Sequence, residues 1–145
     1  MKELTIEAKV ENLPAVLAHI DAELEANDCP MKVQMQIDVA VEELFVNVAS
    51  YAYAPKTGEA MIGIEITDSM SNIISDGAPG NYAVICFRDC GTPFDPTAKE
   101  DPDVTLSAEQ RQIGGLGIYM VKKSMDAFIY RYDNGQNILT IVKKL

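Results

Sequence analysis

Apolar and polar residues alternate along two stretches of the chain, at residues 4–10 and 60–68, which predicts half-buried β-strands. Residues 82–88 are nearly all apolar or aromatic, which predicts a central strand buried on both faces. Two more strands are expected at residues 127–132 and 138–143. The five residues between them contain Asn134-Gly135, a strong hairpin signal.

Helical spacing dominates residues 31–53, where an apolar stripe must face a core: Ile37, Val41, Leu44 and Val48. A preceding helix should run to about residue 27, with Asn12 as its N-cap and Pro14 at an early helical position. A third long helix is expected at residues 116–126, and a short one around residues 107–111.

These elements predict an α+β fold, a two-layer α/β sandwich with a mixed, mostly antiparallel sheet and helices on one face. The chain has 145 residues, which favours a single domain over residues 1–145. It contains no apolar run of about 18 residues. Its N-terminus lacks the layout of a secretion signal, so we expect a cytoplasmic protein without membrane contact.

Charge and cysteine content narrow the function classes. A formal charge of -10 with 12 basic residues argues against direct binding of nucleic acid and favours basic protein partners. Three cysteines without a C-x-x-C pair suggest neither a disulfide framework nor a zinc site.

Glu43 and Asn47 lie one helical turn apart and border the apolar stripe. A carboxylate and an amide at the edge of a core cost desolvation energy unless something partners them, and a hydrated divalent cation with a polyphosphate would suit both. The alternative is a surface pair with no function.

Two further segments carry candidate chemistry. Asp89 follows the buried strand, and its carboxylate can accept from the exocyclic amine of adenine while Gly91 leaves room for the ring; alternatively, Asp89 starts a turn. The glycines of residues 114–117 precede a helix, where free N–H groups attract phosphate, although glycines there are often only turns.

In this order, the three segments resemble the N, G1 and G2 boxes of the GHKL ATPases, whose nucleotide domain is the Bergerat fold. The chain is most similar to the anti-sigma-factor serine-protein kinases of that superfamily. Residues 89–96 read Asp-Cys-Gly-Thr-Pro-Phe-Asp-Pro, and residues 114–118 read Gly-Gly-Leu-Gly-Ile, with Met125-Asp126 following. Pro93 departs from the pattern, because many of these proteins have a second glycine there.

The resemblance implies a role for each matching residue in binding ATP and Mg²⁺. Glu43 resembles the general base, Asn47 the magnesium ligand, Asp89 the adenine reader and Gly91 its ring-contact glycine. The backbone that cradles the phosphates corresponds to Gly115, Leu116 and Gly117. Thr140 resembles a strand threonine that assists Asp89, and residues 97–113 should form an ATP lid.

The resemblance also implies partners. It predicts a homodimer that binds a sigma factor and phosphorylates a serine of a small anti-anti-sigma (STAS-type) protein. The alternative is a nucleotide-gated module that sequesters its partner with little or no kinase activity. The ATP-binding half of a histidine kinase is disfavoured, because no phosphoacceptor-histidine helix precedes the domain and His19 is not in such a context.

Overall fold

The computed structural model describes residues 1–68, 79–96 and 115–145. Its elements are β1 (Lys2–Glu7), α1 (Leu13–Ala26), α2 (Met31–Asn47), β2 (Glu59–Thr67), β3 (Tyr82–Asp89), α3 (Gly115–Ser124), β4 (Ala127–Asp133) and β5 (Gln136–Lys144). The predicted lid, the predicted helix at residues 107–111 and most of the connection between β2 and β3 lie outside the described residues. No helix within the described ranges is long and apolar enough to cross a membrane.

The five strands form one sheet in the order β1-β2-β3-β5-β4, and each described pairing is antiparallel. β3 is the central strand, and its side chains are buried on both faces except for half-buried Arg88, as its apolar sequence predicts. Its last residue, Asp89, lies directly opposite Asn137 of β5. The C-terminal end of β3 and the N-terminal end of β5 therefore lie side by side.

The helices cover one face of this sheet, which confirms the predicted two-layer α+β architecture. Buried side chains of α1, α2 and α3 pack against alternate residues of the strands, including Ile62, Ile85, Phe87 and Ile141. On α2, Ile37, Val41 and Leu44 are buried, whereas Val48 is only half-buried. Val48 nonetheless packs against the same core, so the whole stripe predicted from helical spacing faces the core.

The first strand is shorter than the alternation predicts. β1 ends at Glu7, and Val10 begins a short 3₁₀ turn in which its side chain is half exposed. Asn12 does precede α1, but its side chain does not cap the helix, because Asn12 Nδ2 donates to the Glu7 carbonyl oxygen at 2.9 Å. That bond fastens the end of β1 to the start of α1.

The predicted central helix also changes character before its end. α2 stops at Asn47, and Val48–Ala52 continues as a π-helical turn. Such turns carry one extra residue per hydrogen-bonded ring and are common at functional sites. Here the turn follows immediately after Asn47 and carries the exposed ring of Tyr51.

The hairpin between β4 and β5 is tighter than expected. Asn134 and Gly135 both have positive φ angles, 51° and 75°, and Asp133 pairs with Gln136 across them. A two-residue turn of this kind matches the twist of the adjoining strands. Asn137, which the sequence analysis assigns to the loop, consequently becomes a strand residue.

Candidate functional site

A cavity of about 410 Å³ opens between the end of α2, the strands β3 and β5, and the loop after Asp89. This volume is in the range of small-molecule sites. The lining is mainly apolar, with a few polar groups: Leu44, Asn47, Val48, Tyr51, Ala52, Phe87, Asp89, Thr92, Pro93, Phe94, Pro96, Ile118, Tyr130, Asn137 and Leu139. An apolar slot with few polar groups suits a planar ring system that needs a specific hydrogen bond.

Among the described residues, Asp89 supplies the one carboxylate of this lining, and it is buried. Its Oδ1 accepts from the backbone N–H of Gly91 and from Asn137 Nδ2, both at 2.9 Å. Its Oδ2 accepts no hydrogen bond from the described residues. The side chain is thus held by one oxygen, which leaves the other as an acceptor for a ligand donor.

Asn137 holds the loop that follows Asp89. Besides Asp89, its Nδ2 donates to the carbonyl oxygens of Thr92 (3.0 Å) and Gly91 (3.4 Å). Its Oδ1 accepts from the Phe94 N–H at 3.1 Å and from the Tyr130 hydroxyl. The amide is buried, so these partners replace the water that it loses on folding. The sequence analysis did not identify Asn137 as a site residue. The signal that could have done so is Asn134-Gly135, because a two-residue turn there makes Asn137 part of β5.

Two tyrosine hydroxyls support the same loop, Tyr53 at Cys90 and Tyr130 through Asn137. The Tyr53 hydroxyl donates to the Glu59 carbonyl oxygen and accepts from the Cys90 N–H at 2.8 Å. Burial raises the pKa of Tyr53 and of Tyr130 above the ordinary phenol value, with nearby Asp89 adding to both shifts. Both hydroxyls therefore stay protonated and keep donating at neutral pH.

Gly91 is required by the packing of the loop that carries it. A Cβ added at Gly91 would clash with the carbonyl oxygen of Ala52, in the π-helical turn. The next residue, Thr92, donates its N–H to that same oxygen at 2.8 Å. Gly91 is not part of the cavity lining. The glycine lets the loop after β3 lie directly on the end of α2.

Glu43 and Asn47 lie on the side of α2 that faces α3. Asn47 is half-buried and lines the cavity, whereas Glu43 is exposed and lies outside it. A Cβ added at Gly117 would meet Glu43 Oε2, so Glu43 in this conformation lies against Gly117. Gly115, Leu116 and Gly117 form the first turn of α3. The predicted base and the predicted phosphate segment therefore meet.

The predicted contact between Thr140 and Asp89 is wrong. Thr140 lies opposite Cys86, three residues before Asp89 on β3. Because side chains alternate between the faces of a strand, Thr140 and Asn137 point to opposite faces of the sheet. Asn137 occupies the position beside Asp89 that Thr140 was expected to fill.

Of the predicted residues, the fold collects Asn47 and Asp89 in one cavity and places Glu43 and the first turn of α3 at its rim. One end offers a fixed acceptor within an apolar slot. The other offers an amide, a carboxylate and a helix N-terminus, which together suit phosphate groups and their metal.

The model of one protein family matches almost the whole chain. That family is the histidine kinase-like ATPase domain, and the match covers residues 6–143. A search of proteins with curated functions found no match.

Proposed function

Because the chain belongs to the histidine kinase-like ATPase domain family, we propose that it is an ATP-dependent serine-protein kinase that acts as an anti-sigma factor. It binds a sigma factor in one state and phosphorylates a small STAS-type anti-anti-sigma protein in another. It acts in the cytoplasm as a homodimer. ATP binding follows from the family, and the serine substrate and the partners are the finer part of the proposal.

The single observation that carries the proposal is the buried carboxylate of Asp89, which is held by Oδ1 and open at Oδ2 within an apolar cavity. An acceptor in that position pairs with the exocyclic amine of adenine and repels the carbonyl of guanine. Phe87 and Leu139, which are paired neighbours on β3 and β5, line the cavity and provide apolar contact for the base. The open oxygen of Asp89 therefore supports a preference for binding ATP over GTP.

The residues at the other end of the cavity fit a magnesium ion that arrives with the nucleotide. No group of three His, Cys, Asp or Glu side chains within residues 1–68, 79–96 and 115–145 could hold a metal ion. The amide oxygen of Asn47 is neutral, so the phosphates must supply the charge that Mg²⁺ requires. The ion would neutralise charge on the transferring phosphoryl group.

Glu43 carries the proposed chemistry. As the serine oxygen of the acceptor protein attacks the γ-phosphorus, the Glu43 carboxylate takes the hydroxyl proton, and the bond to the β-γ bridging oxygen breaks to release ADP. Glu43 is exposed, so an acceptor protein can reach it. Its carboxylate lies beside Gly117 in the first turn of α3, where the phosphates are expected.

The second candidate is a nucleotide-gated module that sequesters its partner and transfers no phosphate. The exposure of Glu43 favours the kinase, because transfer to a second protein requires a general base that this protein can reach, whereas sequestration requires no general base. The test is incubation of the chain with γ-labelled ATP, Mg²⁺ and the small antagonist protein encoded by a neighbouring reading frame.

We expect label on the antagonist, and none when its acceptor serine is replaced by alanine. ATP binding without transfer to any partner would establish the sequestering module instead. Absence of ATP binding would contradict both.

A further inference from the structure

The solvent-facing side of α2 carries an apolar ridge that the nucleotide site does not use. Met31, Met35 and Val39 follow one another at successive turns, and their relative exposures are 68%, 61% and 59%. The opposite side of the same helix is buried in the core. A helix that is apolar on both sides is typical of one covered on both sides.

The flank of the ridge that faces α1 is acidic. Asp38 of α2 approaches Asp21 of α1 closely enough for the two carboxyl groups to share a proton, and Glu25 adds a third charge. The Oδ1 atoms of Asp21 and Asp38 are buried and find no donor among the described residues. Burial and these neighbours raise the pKa of Asp38 to about 7. The contact between α1 and α2 at Asp21 and Asp38 is called the Asp21–Asp38 groove below. Its acidic groups lack hydrogen-bond donors among the described residues.

The charge of the whole helical pair has the same sign. α1 and α2 carry six carboxylates, three on each helix, and Lys32 is their one Lys or Arg. A second copy of this chain would bring a second acid pair to the same place, which like-charge repulsion opposes. A basic segment would instead bury the methionines and supply the missing donors.

The ridge also leads to the catalytic end of α2. Val39 and Glu43 are one helical turn apart, so a segment lying along the ridge ends beside the proposed base. Methionines suit such a surface because their flexible side chains adapt to a partner. We infer that Met31, Met35 and Val39, with the Asp21–Asp38 groove, form the docking surface for a protein segment that combines apolar side chains with Arg or Lys. Its assignment to the kinase's protein partner rests on the proposed function.

The experiment uses the full chain and two synthetic amphipathic helices of about 18 residues with leucine anchors on one face. One peptide has arginines on its other face, and the second has glutamates. Binding is followed by amide NMR shifts on the wild type, Met35→Gln, Asp38→Asn and the control Met120→Gln, which alters a methionine of α3 that is 55% exposed. ATP affinity is measured on each variant.

We expect the arginine peptide alone to shift amides of α1 and α2, and Met35→Gln and Asp38→Asn each to weaken its binding by about 10-fold. Met120→Gln should bind as the wild type does, and all four proteins should bind ATP equally. Equal binding of both peptides, an equal loss in Met120→Gln, or self-association of the free chain that Met35→Gln abolishes would overturn the docking surface. Failure of the wild type to bind ATP would instead overturn the proposed function and leave the peptide result standing.

Discussion

The nucleotide cavity and the groove between α1 and α2 both contain poorly exposed carboxylates, but the two are satisfied differently. Asp89 Oδ1 receives two hydrogen bonds, from a backbone N–H and from Asn137. Asp38 Oδ1 is buried without a donor among the described residues, and the pKa of this carboxyl is raised to about 7. Donors hold Asp89 in one orientation, whereas Asp38 depends on a proton or a cation.

This difference separates a site built for a small ligand from one that awaits a larger partner. A fixed carboxylate with one open oxygen can select a donor on a rigid base. An unsatisfied carboxyl pair costs the folded protein stability until something neutralises it. The first arrangement fits a nucleotide site that is formed in advance, and the second fits a surface completed by binding.

The largest expected effect comes from Glu43→Gln, which keeps the shape of the side chain and removes its basicity. Phosphoryl transfer should fall by about 10²–10⁴-fold, the usual contribution of a positioned base. ATP binding should persist, because Asp89 and Asn47 are untouched. Steady-state transfer assays and calorimetric titration with Mg-ATP measure the two quantities. An unaltered transfer rate would remove Glu43 from the catalytic role.

The next largest effect is expected for Asp89→Asn, which should weaken ATP binding by about 10- to 100-fold. The new amide oxygen should keep the two donors that Oδ1 now receives, so its NH₂ turns toward the cavity and meets the adenine amine donor to donor. Guanine offers a carbonyl at that place, so the preference for ATP over GTP should fall. Titrations with both nucleotides test this, and unchanged ATP affinity in a folded variant would contradict the adenine assignment.

Asn137→Ala should remove the support behind Asp89. The Phe94 N–H, the Tyr130 hydroxyl and the Thr92 carbonyl lose a partner together, and we expect the free energy of unfolding to drop by about 1–3 kcal/mol. ATP affinity should fall as well. Gln136→Ala is the matched control, because within the part of the chain that the structure describes its side chain makes only a long hydrogen-bonding contact, 3.8 Å, with Cys90 Sγ. Urea unfolding that shows equal losses for both variants would count against the network.

Within the described residues, sequence patterns located the helices and strands approximately, but they did not show which residues face each other across the sheet. The Asn-Gly signal located the hairpin, but only the two-residue turn made Asn137 a strand residue opposite Asp89. Thr140 is three residues after Asn137 on β5, so its side chain points to the face of the sheet opposite to that of Asn137. Periodicity also could not reveal that α2 becomes a π-helical turn after Asn47, because the apolar spacing continues through it.

Local motifs single out residues but do not show what surrounds them in the fold. Gly91 is predicted from its motif to make room for a base, and the fold adds a packing reason for glycine, because the backbone of Ala52, 39 residues earlier in the chain, lies where a Cβ would be. The approach of the Glu43 carboxylate on α2 to Gly117 on α3 likewise depends on residues far apart in the chain. Such contacts depend on how separate elements pack, and a pattern read along one element carries no information about them.

The smallest expected effect belongs to the groove and concerns Asp38→Asn. In the folded chain the pKa of Asp38 is raised to about 7 from an ordinary value of 3.8, first by burial and then by Asp21 and Glu25. The folded state therefore holds an extra proton between these pH values, and the wild type loses stability as pH rises through that window. The substituted amide does not titrate, so the free energy of unfolding of the variant should rise relative to that of the wild type over the same range and reach a plateau above about pH 7.

Cys29 also faces the pair, and its pKa is raised first by burial and then by Asp38 and Asp21, so its thiol stays neutral within the window.

Asp38 as a whole is only half-buried, so solvent screening should limit the gain at pH 8 relative to pH 4 to about 1 kcal/mol. Urea unfolding across this pH range measures it. Glu42→Gln is the control, because it removes one negative charge from an exposed position on the same helix. If both variants change with pH by the same amount, the effect is one of net charge, and the contrast between a satisfied Asp89 and an unsatisfied Asp38 fails. If Asp38→Asn alone gains stability above pH 7, the groove does store an unfavourable interaction that a basic partner would relieve.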